Sequence, residues 1–573
     1  MKDKGKIIKQ LLYGLIPIQV TSCITLFLSN LIDTVIVGNL ISGDSLAVIG
    51  FVNPMTLLFN MIAGVIAVGS QILCGYHIGR NEKDDVDGGF TGCVLLTLMI
   101  GLLGSFLCIT LASPLASLLG ASGDVAAQTS SYIKGLCVGL VFWLFYKSML
   151  AFLQLDNAPK VALSATVVMA FAKVGFDLLF VLVFPLGMFG VGLATSASYL
   201  LVFLIGFCYY LIKKTSIRFR LRAFRFSVFL EIAKRGFPNA VQEGISTIRS
   251  FCINRIALYY GGNDAVSVYA FASNAIELFF SGLSGICSAS DILNSIFIGT
   301  KDRDSMKQVN KHTFKISTVV NLSLWVLVMC VADPIASLSG TEGALLKENA
   351  LAIRLLFTTA FFNVLPTMAL HFYRTLGCIG KVNVIASLQM LLFHLVSCAV
   401  LPQFFGVSGL WVCYMIGDGL IALLLLLYAA RKLGFFPKKL TQLLYIPREF
   451  GVPEEHQWDE PLSSPEQIPF LCSRACAFLV SLGAEQSRID ALAECLGRLL
   501  SNIVSYGGKG SAPNVDVRVV CDGNDFFAVL RDNGIPFDPT CATPGAGLSA
   551  VRSLAQSMEY RTTLGLNVLT IRF

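Results

Sequence analysis

The sequence predicts a polytopic, all-α membrane domain of about twelve helices in two parallel lobes of about six each, followed by a small α/β two-layer sandwich. Three observations lead there. Long apolar runs such as 94–112 and 420–430 alternate with short polar loops up to Arg431. The pattern of those loops repeats once, about 220 residues further on. Beyond Pro447 the composition becomes that of a water-soluble domain carrying two glycine signatures, Asp532-Asn533-Gly534 and Gly545-Ala546-Gly547-Leu548.

The 573 residues are 55% hydrophobic and 14% charged, with a mean hydropathy of +0.71. A soluble chain is about a quarter charged. The net charge of +7 is no nucleic-acid footprint, because the basic residues collect in loops, as membrane topology requires. The 17 cysteines show no zinc spacing, and most lie inside apolar segments, where Cys packs as a small hydrophobe. Lys2–Lys6 followed by 11–28 resembles the start of a signal peptide. No clean small-residue cleavage site follows, so the reading is an uncleaved first span.

The spans centre near residues 24, 60, 101, 142, 173, 200, 246, 282, 322, 362, 391 and 418. Only helices suit such runs, since backbone groups in lipid must pair within their own segment. Every second loop is basic: Lys2 to Lys9, Arg80 and Lys83, Lys160, Lys213 to Arg225, Lys301 to Lys311, Lys381, and Arg431 to Lys439. The alternate loops hold almost no basic residue beyond Lys347. By the positive-inside rule both termini are cytoplasmic, in a cell (inner) membrane.

The repeat matches polar loops as well as apolar helices. Pro114–Gly120 recurs as Pro334–Gly340, Ile78–Asp84 as Ile298–Asp304, and Pro17 as Pro238. The resulting organisation is an amino-terminal lobe (1–212), an inter-lobe loop (213–235), a carboxy-terminal lobe (236–430), a linker (431–447) and a cytoplasmic domain (448–573). Paired lobes of this kind suit alternating access around a central site.

Ionisable residues inside spans cost about 2.5–3.5 kcal/mol each on insertion scales and so need a reason. They are Asp33, Lys173, Asp177, Glu243, Arg249, Arg255, Glu277, Asp291 and Asp418. Lys173 and Asp177 lie one turn apart on one helix face. Asp33 reads either as a cation-coupling carboxylate or as a structural hydrogen-bonding group. Asn254 is its repeat-mate, so the second lobe lacks the matching carboxylate, and Glu243 is the candidate replacement. His371 and His394 read as packed or cavity-lining side chains before proton relays, and the cluster Phe142-Trp143-Phe145-Tyr146 as core or lipid contact before a drug pocket.

The order Pro17, Asp33-Thr34, Val37-Gly38, the polar turn at 79–85, the segment 152–160, Asp177 and 190–195 resembles the multidrug and toxic compound extrusion (MATE) family over residues 10–430. Tyr373–Gly377 resembles the matching segment of the second lobe. The resemblance implies a secondary antiporter in which Na+ or H+ entry drives export of small amphiphilic, often cationic, compounds. It also implies coupling carboxylates at Asp33 and Asp177. Lys173 departs from the Asn usual there: it reads either as a tethered charge at the cation site, which points to H+ or altered coupling, or as a plain ion pair with Asp177 that lends rigidity.

In the last domain the segments 466–482 and 489–505 read as helices, 515–521, 526–531 and 566–573 as strands, and 545–558 as a glycine turn entering a helix. Asn502, then Asp532-x-Gly534, then Gly545-x-Gly547 resembles the histidine-kinase-type (GHKL) ATPase fold, in its anti-sigma-factor serine-kinase branch, over 448–573. The resemblance implies ATP with Mg2+ as cofactors: Asn502 on the metal, Asp532 accepting from the adenine amino group, Gly534 clearing space for the base, and Gly545 and Gly547 facing the phosphates. The family's general-base Glu is Arg498 here, and Arg accepts no proton at neutral pH. Nucleotide binding with weak or no phosphotransfer is therefore expected, and enzyme status is left open. No Walker A sequence exists to support ATP-driven pumping. The expected function is a MATE-like antiporter regulated by an ATP-binding domain. A membrane signalling protein whose domain acts on a cytoplasmic protein partner, and a lipid-linked saccharide flippase, stand as alternatives.

Overall fold

The computed structural model describes residues 6–573 except 41–44, 81, 122, 214, 338–342, 448–449, 463, 509–512, 523–524, 542–545 and 564; side chains at 6, 26–40, 45–47, 50, 263, 454, 522, 525, 546–547 and 563 are also outside the description. The first lobe comprises α1 (Lys6–Leu40), α2 (Ser45–Arg80), α3 (Lys83–Thr110), α4 (Ala112–Leu118), α5 (Gly123–Val138), α6 (Leu140–Leu155), α7 (Pro159–Leu178) and α8 (Gly187–Ile212). The second comprises α9 (Ser227–Gly299), α10 (Arg303–Ser337), α11 (Gly343–Phe357), α12 (Val364–Thr375), α13 (Ile379–Ala386), α14 (His394–Val400), the short α15 (Pro402–Phe405) and α16 (Ser408–Trp411), and α17 (Cys413–Leu433).

Among the described residues nine helices are long and apolar enough to cross a membrane, and eleven spans result when each of two bent pairs counts as one. The remaining place is taken by residues 227–261 of α9. That segment carries Glu231, Lys234, Arg235, Glu243, Arg249 and Arg255 and so falls short on composition. It joins the following span through Gly262 at φ +63°, a conformation that costs Gly nothing. Helix α9 starts at Ser227, inside the segment read from sequence as inter-lobe loop.

The internal repeat is visible in the irregularities. The fourth span bends by 47° between α5 and α6, and its counterpart bends by 57° between α11 and α12. At the first bend Ser196 of α8 accepts from the Gly139 N–H at 3.1 Å and donates to the Gly135 carbonyl at 2.8 Å, satisfying groups that the break releases. The fifth span ends in a π-helical turn, Leu179–Val183, and its counterpart contains Ser387–Phe393 in the same form. Such π segments concentrate at functional sites.

The C-terminal domain has β1 (Gln457–Leu462), α18 (Ile468–Ser481), α19 (Gln486–Tyr506), β2 (Val515–Asp522), β3 (Asp525–Asp532), α20 (Ala546–Leu554), β4 (Ser557–Thr563) and β5 (Leu566–Arg572). Its antiparallel sheet runs β1-β2-β3-β5-β4. Alternation along each strand separates two faces. Val515, Val517, Val519, Ala528, Leu530, Leu569 and Ile571 pack under the helices with Ile489, Leu492, Leu496 and Leu500. Val529, Leu566 and Val568 face the other way and pack on Ile7 of α1. Two of the five strands escaped the sequence reading. β1 holds two acids and Pro461, tolerable on an edge, and β4 (Ser-Met-Glu-Tyr-Arg-Thr-Thr) has almost no apolar face of its own.

Candidate functional site

In the first lobe Pro159 opens α7 at a position where its missing N–H costs nothing. The helix then carries Lys173 and Asp177, 4% and 0% exposed, one turn apart immediately before the π turn. Asp33, the other carboxylate expected here, lies on α1, and its side chain is outside the description. Asn254 sits on α9 with its Oδ1 buried and, among the described residues, without a hydrogen-bond donor. Glu243 is solvent-exposed and lies within charge range of Lys147 and Glu277. Arg249 turns instead over the Tyr414 ring, 5.1 Å from its centroid, toward Glu277 and Asp418. The aromatic cluster of the fourth span packs within its own lobe: Trp143 and Tyr146 both stack on Tyr199, at 5.8 and 4.5 Å.

The second lobe holds two polar clusters whose members lie scattered along the chain from Asn239 to Asp418. Asp418 of α17 accepts from Gln389 Nε2 at 2.7 Å, lies 3.2 Å from His394 Nε2, and takes the Thr359 hydroxyl on its other oxygen. Tyr414 lies one turn before it, its hydroxyl 2.7 Å from that of Tyr269. Asp291 lies 2.7 Å from His371 Nδ1 and accepts from Arg374 Nη2 at 3.0 Å and from the Thr375 hydroxyl at 3.0 Å. Arg374 also donates to Asn239 and Gln242 of α9. Each of the two histidines read as packed thus faces a buried carboxylate. A signal existed: aligning Lys160 with Lys381 sets Lys173 on His394, so each lobe places a basic side chain at the same register.

At the end nearest the C-terminal domain the lobes meet backbone to backbone. A Cβ on Gly79 of α2 would stand 2.3 Å from the Ile296 carbonyl oxygen and 2.7 Å from Gly299 Cα, and one on Gly75 would strike Ser295. Gly69 and Gly236 make a second such contact. Small residues permit this approach, and α2 and α9 are in close backbone contact along this seam.

In the C-terminal domain Asp532 ends β3, 6% exposed. The Gly534 N–H and Asn567 Nδ2 both donate to its Oδ1 at 2.8 Å, and among the described residues no donor reaches Oδ2. Burial pushes its carboxyl above the ordinary carboxylate value, with those two bonds acting against the shift. Gly534 is required: a Cβ there would lie 2.5 Å from the Gly507 carbonyl oxygen, which already accepts from Ile535 N–H at 2.9 Å. The end of α19 is thereby tied to the Asp532 loop. Asn502 and Arg498 lie on α19 beside an open groove of about 600 Å³ shared with Ile468, Pro469 and Cys472 of α18. That groove does not include Asp532. Arg498 Nη2 and Nε both donate to Glu494 Oε1, at 2.7 and 3.0 Å. Gly545 and Gly547 lie outside the described residues. Asp532 Oδ2 is thus left as an acceptor at the end of β3, beside a glycine held in close approach to the Gly507 carbonyl.

The MatE family model matches residues 17–179 and 238–400, more than half of the chain. The model described as histidine kinase-like ATPase domain matches 462–573. Multidrug export protein MepA of Staphylococcus saprophyticus is 20% identical over 438 residues, covering 75% of this chain and 95% of that protein. Its namesake in a bovine strain of Staphylococcus aureus is 20% identical over 435 residues, with the same coverages. Among solved structures, the outward-facing conformation of a multidrug resistance MATE family transporter of the MOP superfamily superposes with a TM-score of 0.70 at 19% identity, over 74% of this chain and 96% of that one. A MOP superfamily transporter from Pyrococcus furiosus superposes at 0.69 and 20% identity, with the same coverages. Two homologous matches at the repeat spacing found from the loops, a shared fold and a separate C-terminal match agree: the chain belongs to the MatE family of membrane transporters and carries a histidine kinase-like ATPase domain at its C-terminal end.

Proposed function

We propose that the protein is a cation-coupled exporter of small amphiphilic cations whose C-terminal domain lies in the cytoplasm and regulates export by binding ATP. The observation that carries the coupling is the repeat-related pair of buried basic side chains: Lys173, one helical turn before the buried Asp177, and His394, 3.2 Å from the buried Asp418. A lysine ammonium one turn from Asp177 on the same helix adds a fixed positive charge that disfavours Na+ there. A histidine 3.2 Å from Asp418 offers a ring nitrogen that can take up and pass on a proton. H+ is therefore the proposed coupling ion. Export of cationic drugs is supported by the naming of the MepA relatives as multidrug export proteins.

Nucleotide recognition is assigned to Asp532, with Asn567 pinning one of its oxygens so that the other meets an incoming donor. ATP, once bound, supplies an occupancy signal. Asn502 is the proposed holder of its Mg2+, and Gly545 and Gly547 of its phosphates. Arg498 stands where a general base would and pairs with Glu494 one turn back, which supports sensing over phosphotransfer. The test uses proteoliposomes loaded with a fluorescent cation. An imposed pH gradient drives transport in the wild type and fails to drive it in Asp418→Asn. Full-rate transport on a Na+ gradient alone contradicts proton coupling.

A further inference from the structure

The second face of the C-terminal sheet is not bare. Arg531 of β3 and Arg518 of β2 converge on Asp302, in the loop between α9 and α10 of the second lobe; Arg531 Nη2 lies 2.6 Å from Oδ2 and Arg518 binds Oδ1. The three side chains are 10%, 7% and 1% exposed. Burial alone would raise the Asp302 carboxyl, but the two guanidiniums outweigh it and hold it well below the usual carboxylate range. Arg531 also donates to the Ser305 hydroxyl at 3.1 Å, and Gln457 of β1 to Asp304 at 2.8 Å.

The same sheet grips the first lobe. Arg561 of β4 donates from Nη1 to the carbonyls of Ile78 and Gly79, at 2.6 and 2.7 Å, at the end of α2. Asn533 and Asn514 donate to Gln10 of α1 at 3.2 and 3.4 Å, beside the packing of Val529, Leu566 and Val568 on Ile7. Ile78-Gly79 and Ile298-Gly299 are repeat-equivalents, and Gly79 and Gly299 touch one another. One rigid sheet therefore holds the matching ends of both lobes across their closed seam.

The latch side chains are interleaved with the nucleotide-site residues. Arg531 and Asn533 flank Asp532, and Leu566 and Val568 flank Asn567, which pins Asp532. Successive side chains of a strand point to opposite faces. A shift of β3 or β5 that accommodates a base on one face moves the lobe contacts on the other.

We propose that the C-terminal domain is an inter-lobe latch: its sheet clasps the repeat-related loops of both lobes, opposes their separation on that side, and links nucleotide occupancy to that grip through the ends of β3 and β5. The inference rests on the reading of this domain as a nucleotide-binding regulator, but its contacts stand by themselves.

The test is hydrogen exchange of the full-length chain in lipid nanodiscs, followed by mass spectrometry of segments 69–80 and 292–305. Asp302→Asn removes the charge and keeps an N-cap side chain for α10, where Asp302 accepts from Ser305 N–H at 3.0 Å. Arg561→Gln breaks the contact with the other lobe. Each variant is expected to speed exchange about tenfold or more in both segments, including the one it does not touch, because one sheet holds both. Exchange that rises only in the segment next to the substitution shows a tether to one lobe and overturns the latch. MgATP is expected to change exchange in both segments of the wild type and in neither segment of Asp532→Ala. If MgATP leaves the wild type unchanged while both latch variants release both segments, the nucleotide link and the regulatory reading fall and the mechanical latch stands.

Discussion

Gly299→Ala is the sharpest perturbation of the closed seam. The added Cβ would stand 2.2 Å from the Tyr76 carbonyl oxygen and 2.7 Å from Gly79 Cα. A close carbon–oxygen contact is about 3.3 Å, so α2 and α9 must part by about 1 Å. Both obstacles are backbone and cannot rotate away. Overpacking of this kind costs about 1–3 kcal/mol. The cost falls on the state closed at this end and vanishes once the lobes separate. The closed-to-open ratio should therefore drop by about 5- to 150-fold. Hydrogen exchange of segment 69–80 reads the change directly, and the initial rate of cation transport reads its consequence. Ala is a better helix former than Gly by about 1 kcal/mol, so a variant with intact circular dichroism and faster exchange at the seam isolates the steric effect. Exchange at 69–80 equal to the wild type would refute the argument that this contact closes the protein.

Asp532→Ala should weaken ATP binding by tenfold or more, by about the 1.5–3 kcal/mol of a hydrogen bond to a charged group, measured by calorimetry. Its raised carboxyl gives a sign for pH: the acceptor is lost on protonation, so affinity should fall as pH drops through a value above the usual carboxylate figure of about 4. The Asp302 carboxyl is shifted the other way. Its ion pair stabilises docking above the unfolded value of about 4 and is lost only as pH falls through its depressed value, so exchange at 292–305 should show no docking transition between about pH 5 and 8. Glu494→Ala should leave any residual ATP hydrolysis unchanged, because Glu494 is held by Arg498; hydrolysis abolished by this substitution would reinstate it as a base. Ser196→Ala should cost about 1 kcal/mol or more in thermal stability by stranding the Gly139 N–H at the bend of the fourth span.

Much of the architecture was legible because it is written in patterns that water and lipid impose. Apolar length gave the spans, loop charge their alternation, and the spacing from Ile78 to Ile298 the duplication. The span expected near residue 246 was counted with the other apolar runs, although the charges of 227–261 keep that segment below the others in apolar composition. Strands β1 and β4 were illegible because their partners are elsewhere: β1 is an edge strand with Pro461, and β4 spends Arg561 on the carbonyls of another lobe. The sites were legible as residues and not as groups. Asp291 and Asp418 stood out as costly inside a span and His371 and His394 as lone side chains, but nothing local joins them. Tertiary packing brings Gln389, His394 and Thr359 around Asp418, and only the Lys173–His394 correspondence hinted at it. Asp302, Arg518 and Arg531 read as ordinary loop and strand charges, and their burial exists only when the two domains meet.

The central claim is that ATP regulates this transporter by occupancy and does not power it. The direct measurement is the initial rate of cation transport in proteoliposomes under a fixed pH gradient, with ATP or a non-hydrolysable analogue on the side of the C-terminal domain, for the wild type and Asp532→Ala. The account predicts equal rate changes with the two nucleotides in the wild type and none in the variant. A wild-type rate indifferent to both, or responsive to hydrolysable ATP alone, would contradict it.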